Sequence, residues 1–247
     1  MTLAETLRAV AARVPYLRAS TVTDGDDWYA CGQLINDRGV LGRVVEDAMA
    51  GFGTDDLAVA ASLFTQAYAF RVAGVALAAY ALGLPVPDVS PEGTAVRVDK
   101  PRPSEVAYLR ADVRALGSME LSEQLVAGHL AGFVDAVHDG FPVGERLLYG
   151  NVVASCAVAF RAVHGGEPDG RRVQERAEAF LAATPSFRGL GTFTTVRVGK
   201  REGWYWDRTN CCLWFRTTGN RFCDNCSLVD PTARSAQRLH ELSETSA

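Results

Sequence analysis

An α+β fold, mostly helical with a small β-hairpin leading into a C-terminal cysteine-rich segment, is predicted by three features of the sequence. Apolar residues recur at helical spacing through most of the first 190 positions. TFTTVRV (192–198) and WYWDRT (204–209) instead alternate, and are rich in β-branched and aromatic residues. Directly beyond them, CCLWFRTTGNRFCDNC (211–226) gathers four of the six cysteines. The organisation follows: a mostly helical body over 1–190, the hairpin and cysteine segment over 191–230, and a polar tail over 231–247 with one helical stretch after Pro231.

Each element has its own signal. Leu3, Leu7, Val10 and Val14 predict an amphipathic helix within residues 1–18, opened by a capping box of Thr2 and Glu5. TVTDGDD (21–27) reads as loop, and a second helix is expected from about Gly39 to Ala50. Thr54, Asp55 and Asp56 mark the start of a long apolar helix that Gly83 and Pro85 stop. Prolines 85, 87, 91, 101 and 103 predict an irregular connection holding one strand, TAVRVD (94–99), whereas 105–116 fits strand or helix equally. Helical spacing returns over 119–137 and 144–163, ended by Gly165 and Gly166, and a charged helix follows over 171–183. GKREG then turns the hairpin.

Composition bounds the function. A chain of 247 residues, 48% hydrophobic, is long enough to bury a real core. Its 25 basic against 29 acidic residues give a net charge of −4, so no global field gathers nucleic acid. MTLAETLRAV lacks the basic start and apolar stretch of a secretory signal, which predicts a cytoplasmic protein, with contact at the inner face of the membrane left open. Arg71 splits the apolar tract 57–87 into stretches too short to span a bilayer, so a buried core helix and no transmembrane segment are expected. Reduced cytosolic thiols, crowded as they are here, point to metal or redox chemistry rather than disulfides.

The cysteine spacing is CCx10CxxC, made by Cys211, Cys212, Cys223 and Cys226. Four thiolates suit either tetrahedral Zn²⁺ or a [2Fe–2S] cluster. Neighbouring side chains of an extended backbone face opposite ways, so a vicinal pair chelates one small ion less readily than a CxxC turn and tolerates a two-metal cluster better. Arg197, Lys200, Arg201, Arg208, Arg216 and Arg221 stand here against Glu202 and Asp207, a local positive excess in an acidic chain. Such cations stabilise a negatively charged cluster and also suit an anionic substrate. Trp204, Tyr205, Trp206, Trp214 and Phe215 supply apolar cover; hairpin core and a solvated charged face are the plainer roles for each.

The string R-T-N-CC-x10-C-x-x-C-S-L, Arg208 to Leu228, resembles the C-terminal motif of the FhuF-like ferric-siderophore reductases. The apolar helix 57–84 with VPDVSPE after it, and LLYGN before the helix 152–163, sit where that family has comparable stretches. The resemblance implies a cytoplasmic oxidoreductase whose four cysteines, here Cys211, Cys212, Cys223 and Cys226, hold a [2Fe–2S] cluster. It passes one electron to Fe(III) held by an imported siderophore and so releases Fe(II). An oxygen chelator fits Fe(III) far better than Fe(II), so a one-electron donor suffices, and no nucleophile or base is required. The sequence has no GxGxxG, GxxxxGK[ST] or GxSxG, so the electron is expected from an outside donor such as a ferredoxin or a flavin reductase. The siderophore is expected to be of hydroxamate type, and Arg71, Lys200, Arg201, Trp204, Trp206, Arg208 and Arg216 are the candidate substrate contacts. A structural zinc protein and an iron–sulfur sensor without turnover are the competing readings.

The remaining polar residues read plainly. Cys31 and Cys156 are expected in the core, and His129 and His138 are too far apart on one helix to share a metal. His164 suits a helix C-terminus and His240 lies in the tail. A buried Arg71 needs a carboxylate or a ligand. Asn151 is expected to cap the helix that follows LLYGN.

Overall fold

The computed structural model describes residues 1–99, 101–165, 170–199, 201–219 and 221–244. Helix α1 (Leu3–Arg13) begins with the expected capping box of Thr2 and Glu5. It stops short of residue 18 because Pro15 disfavours helical backbone at Val14, which sits at φ −133°, ψ 80°. The stretch up to Asp37, read as loop around 21–27, contains β1 (Ala19–Ser20), β2 (Trp28–Ala30) and α2 (Cys31–Asn36). Asp37 caps α3 (Arg38–Phe52), and Gly53 ends it at φ +66°. Asp56 accepts from the amides of Ala58 and Val59 to cap α4 (Leu57–Leu82), and Gly83 ends it at φ +75°.

The proline-rich connection carries β3 (Val86–Pro87), β4 (Thr94–Asp99), β5 (Arg102–Tyr108) and β6 (Val113–Arg114), so the undecided stretch 105–116 divides between two strands. Four strands form one sheet in the order β1-β5-β4-β2, with β1 parallel to β5 and the other pairs antiparallel. Val96, Val106 and Tyr108 bury on it among the core residues. A continuous helical segment then runs through α5 (Ser118–Leu121), a π-helical stretch (Ser122–Leu130) and α6 (Ala131–Gly140). Helices α7 (Glu145–His164) and α8 (Gly170–Ala182) complete the body.

Helix α4 is apolar on every side and is buried along nearly its whole length. It is the axis of the molecule: α7 packs along it, and α1, α3, α8 and β5 contact it from other directions. Side chains such as Phe64, Tyr68 and Leu77 are fully buried there, each worth about 1.5–3 kcal/mol. Both α4 and α7 are long and apolar enough to cross a membrane; here 72% and 67% of their most apolar windows lie inside the body.

The hairpin forms as expected from β7 (Gly191–Val198) and β8 (Arg201–Arg208), paired in register from Gly191 with Arg208 to Val198 with Arg201. The turn is tighter than GKREG suggests, since Arg201, Glu202 and Gly203 already belong to the strand. Beyond the cysteines, α9 (Pro231–Glu244) occupies most of the expected tail and lies against both strands. Arg238 of α9 is buried, 4.8 Å from the Tyr205 ring, whose own ring also meets Arg161 of α7 at 4.4 Å.

Candidate metal centre

Strand β8 delivers the chain to the cysteines, and each of the three residues before them is anchored to the body. Arg208 Nη2 donates to Asn151 Oδ1 on α7 at 2.5 Å. Thr209 Oγ1 donates to the Gly189 carbonyl at 3.0 Å, and Asn210 Nδ2 donates to the Leu147 carbonyl at 3.1 Å. Asn210 approaches α7 at Gly150, where any Cβ would collide with its side chain, which gives the glycine of LLYGN a steric reason.

A backbone kink directly follows the vicinal pair. Leu213 has φ +67°, alone among the described non-glycine residues in that region, at a cost of about 1–3 kcal/mol. Its amide donates to Cys211 Sγ at 3.3 Å, and the Leu228 amide donates to Cys226 Sγ at 3.4 Å. Cys212 is buried, and its Sγ meets that of Cys223 at 3.5 Å. The CxxC half is a turn, closed by the Cys226 amide on the Cys223 carbonyl at 2.9 Å. All six cysteines are free.

A buried polar chain holds the pair from behind. Ser62 Oγ on α4 donates to the Cys212 carbonyl at 2.8 Å, and Asn151 Nδ2 donates to both Ser62 O and Ser62 Oγ at 2.8 Å. Ser62, Asn151 and Arg208 are all buried. Asn151 therefore does not cap α7, whose N-cap is Gly144; it sits inside the helix and links α4 to Arg208. Of the guanidinium nitrogens of Arg208, Nε and Nη1 are buried without a hydrogen-bond partner. A buried cation so placed demands negative charge nearby.

The thiols supply it. Sharing of the Cys223 proton, with Arg208 assisting, holds Cys212 down to about 6, while the same hydrogen bond pushes Cys223 well up. Cys211 is raised by burial and by the neighbouring Cys212 and Cys226, with the Leu213 amide and Arg208 pulling against that. Arg208 favours charge at three of the four sulfurs.

Two further contacts dock the segment. Arg216 pairs with Asp56, the cap of α4, at 2.7 Å, and the Thr218 amide donates to the Gly53 carbonyl at 2.8 Å. Arg234 Nη1 on α9 donates to the Cys226 carbonyl at 2.6 Å while its Nε lies 3.0 Å from Asp207. Burial would raise Asp207, but Arg238, Thr194 and Arg234 hold it below the usual carboxylate range.

The donor set bears on what these thiols can hold. Two thiolates on one tetrahedral ion at about 2.3 Å are roughly 3.8 Å apart, close to the 3.5 Å between Cys212 and Cys223. Among the described residues no three His, Cys, Asp or Glu side chains converge as they would around a single ion. Donation of amides to Cys211 and Cys226, and a buried guanidinium with unmet donors, fit a thiolate-rich group of net negative charge.

The other sequence candidates divide. Trp206 lines a cleft together with Cys223, and Arg208 and Arg216 serve the cysteine segment as above. Trp204 is buried in the hairpin, stacked on Phe193 at 3.6 Å, and Arg201 bonds the Leu242 carbonyl. Lys200 lies outside the described residues. Among the described residues Arg71 forms no ion pair with a carboxylate: it donates to the carbonyls of Pro103 and Tyr16 and borders a cavity. Ser62, Asn210 and Arg234 escaped sequence reasoning altogether, although a serine and an asparagine inside apolar helices are costly unless bonded, which is the signal that marks Ser62 and Asn151. Cys31 and Cys156 are core thiols, as expected. No protein-family model and no curated protein matches this chain.

Proposed function

We propose that this chain is a ferric-siderophore reductase of the FhuF type, with Cys211, Cys212, Cys223 and Cys226 as ligands of a [2Fe–2S] cluster. The observation that carries the reading is Arg208, a buried cation with unmet donors, set beside the thiol pair of Cys212 and Cys223. The cluster, when bound, supplies a one-electron donor.

The chain's own residues supply the rest. Arg208 favours thiolate over thiol at the ligand positions and offsets the negative charge gathered there. Ser62 and Asn151 fix the Cys212 backbone, so the ligands are placed before they bind. The amides of Leu213 and Leu228 donate to sulfur, which favours the anionic form. Trp206, Trp214 and Phe222 border the cleft that Cys223 lines and limit the access of water to it. Fe(III) in an oxygen chelate needs only one electron to become weakly held Fe(II), so no acid, base or nucleophile is asked of the site. The electron comes from a separate donor, a ferredoxin or flavin reductase in the cytoplasm.

Purification without oxygen and reaction with substrate test the reading. The protein is expected to be red-brown, to give an electron paramagnetic resonance signal on reduction, and to be reoxidised by ferric hydroxamates in stopped flow. A colourless protein carrying stoichiometric zinc overturns it, as does a reduced cluster that ferric chelates fail to oxidise.

A further inference from the structure

The cleft that Cys223 lines adjoins a second cavity, and the two share Gln66, Val158 and Trp214. Their volumes are about 340 and 280 Å³, so the trough between α4 and α7 spans room for a small chelate. Its far half is walled by Leu63, Phe70 and Val158 and ends at Arg71 and Arg102. Among the described residues no acidic side chain lines that half.

Among the described residues the charge there is only partly compensated, by Glu105. Arg71 is half-buried, donates through Nε and Nη1 to two backbone carbonyls at 3.3 and 3.1 Å, and lies 5.2 Å from the Phe70 ring. Burial first, then repulsion from Arg102 and Arg18, disfavours its charged form, and Glu105 alone opposes this. Glu105 also faces Arg97. Arg102 is exposed and makes no hydrogen bond or ion pair among the described residues. With Nε and Nη1 of Arg71 engaged, its Nη2 and the guanidinium of Arg102 are the donors left at the end of this apolar trough, and together they suit a carboxylate.

We propose that this trough is the substrate site and that it selects an Fe(III) chelate carrying a free carboxylate, held by Arg71 and Arg102, with the chelated metal at the Trp214 end toward Cys223. The inference rests on the reductase reading for the identity of the metal. It narrows the expected hydroxamate class by adding an anionic arm that the chelating groups do not use.

Gallium(III) copies the charge and coordination of Fe(III) but takes no electron, so binding is read apart from electron transfer. The cluster-loaded protein is titrated by calorimetry with the Ga(III) complex of a hydroxamate chelator bearing one free carboxylate, and with the same complex after that carboxylate is amidated. The acid is expected to bind about tenfold more tightly. Arg102→Gln, at an exposed side chain with no internal partner, is expected to abolish that ratio without changing the thermal midpoint. Val158→Trp, which fills the trough, is expected to weaken both complexes. Equal affinity of acid and amide for the unaltered protein, or a ratio that Arg102→Gln leaves intact, overturns the proposal. Reoxidation of the reduced protein by ferric chelates with no such ratio sinks the trough alone; binding of the gallium acid with no reoxidation by its iron counterpart sinks the reductase reading alone.

Discussion

Asn151 shows how much one buried amide governs. Its carbonyl takes the single hydrogen bond that Arg208 makes to a side chain, and its NH₂ holds Ser62, which in turn holds the Cys212 carbonyl. Replacing it by leucine keeps the branched shape but leaves the Arg208 side chain with no hydrogen-bond partner among the described residues. A hydrogen bond to a charged group contributes about 1.5–3 kcal/mol, so Asn151→Leu is expected to lower stability by about that amount in urea unfolding. Asn151→Asp, which offers Arg208 a carboxylate, is expected to lose less. If the leucine variant unfolds at the same urea concentration as the parent, the chain from Arg208 to Cys212 is not holding the fold. Asn151 was legible in the sequence only as a cap, because the residues it joins, Ser62 and Arg208, lie far from it along the chain and nothing local announces them.

At the scale of elements, the π-helical stretch Ser122–Leu130 positions His129 against α4. His129 Nδ1 donates to the Val89 carbonyl at 2.7 Å, so Nε2 accepts from the Tyr68 hydroxyl at 2.6 Å. Burial holds the ring neutral, pulling its pKa down to about 4. Between about 4 and 6.5 the unfolded chain binds a proton at this histidine that the folded chain does not. Stability therefore falls as pH is lowered through that window, with a slope approaching about 1.4 kcal/mol per pH unit. His129→Gln is expected to flatten this part of the profile in denaturant titrations at fixed pH, and an unchanged slope would show that another group governs acid sensitivity. The long helices and the hairpin were readable because apolar spacing or alternation persists over many residues. The π stretch was not, since its apolar residues satisfy the helical period just as well, and β1 and β2 are too short to show any alternation.

For the molecule as a whole, the cysteine segment depends on what surrounds it. The four cysteines and the hairpin before them were plain from spacing and composition, but the framework that seats them comes from α3, α4, α7 and α9, and only folding brings those together. Among the described residues between Cys211 and Leu228 the segment has one short 3-10 turn, Trp214–Arg216, and no strand. Its order comes from Ser62, Gly53, Asp56 and Arg234 outside it and, on the proposed reading, from the cluster its cysteines would hold. Ligand binding in so sparse a segment contributes directly to its folding. Stripping the cofactor with a chelator under reducing conditions is expected to speed amide exchange across 211–228 by at least about tenfold, since local opening there no longer opposes metal binding. The amides of α4 and α7, buried in a core that includes none of the four clustered cysteines, are expected to keep their protection, and α9 stays clamped by Asp207 through Arg234 and Arg238. Hydrogen exchange followed by mass spectrometry separates the outcomes. Loss of protection throughout α4 would mean that the cofactor holds the whole molecule, and no change across 211–228 would mean that the docking contacts alone suffice.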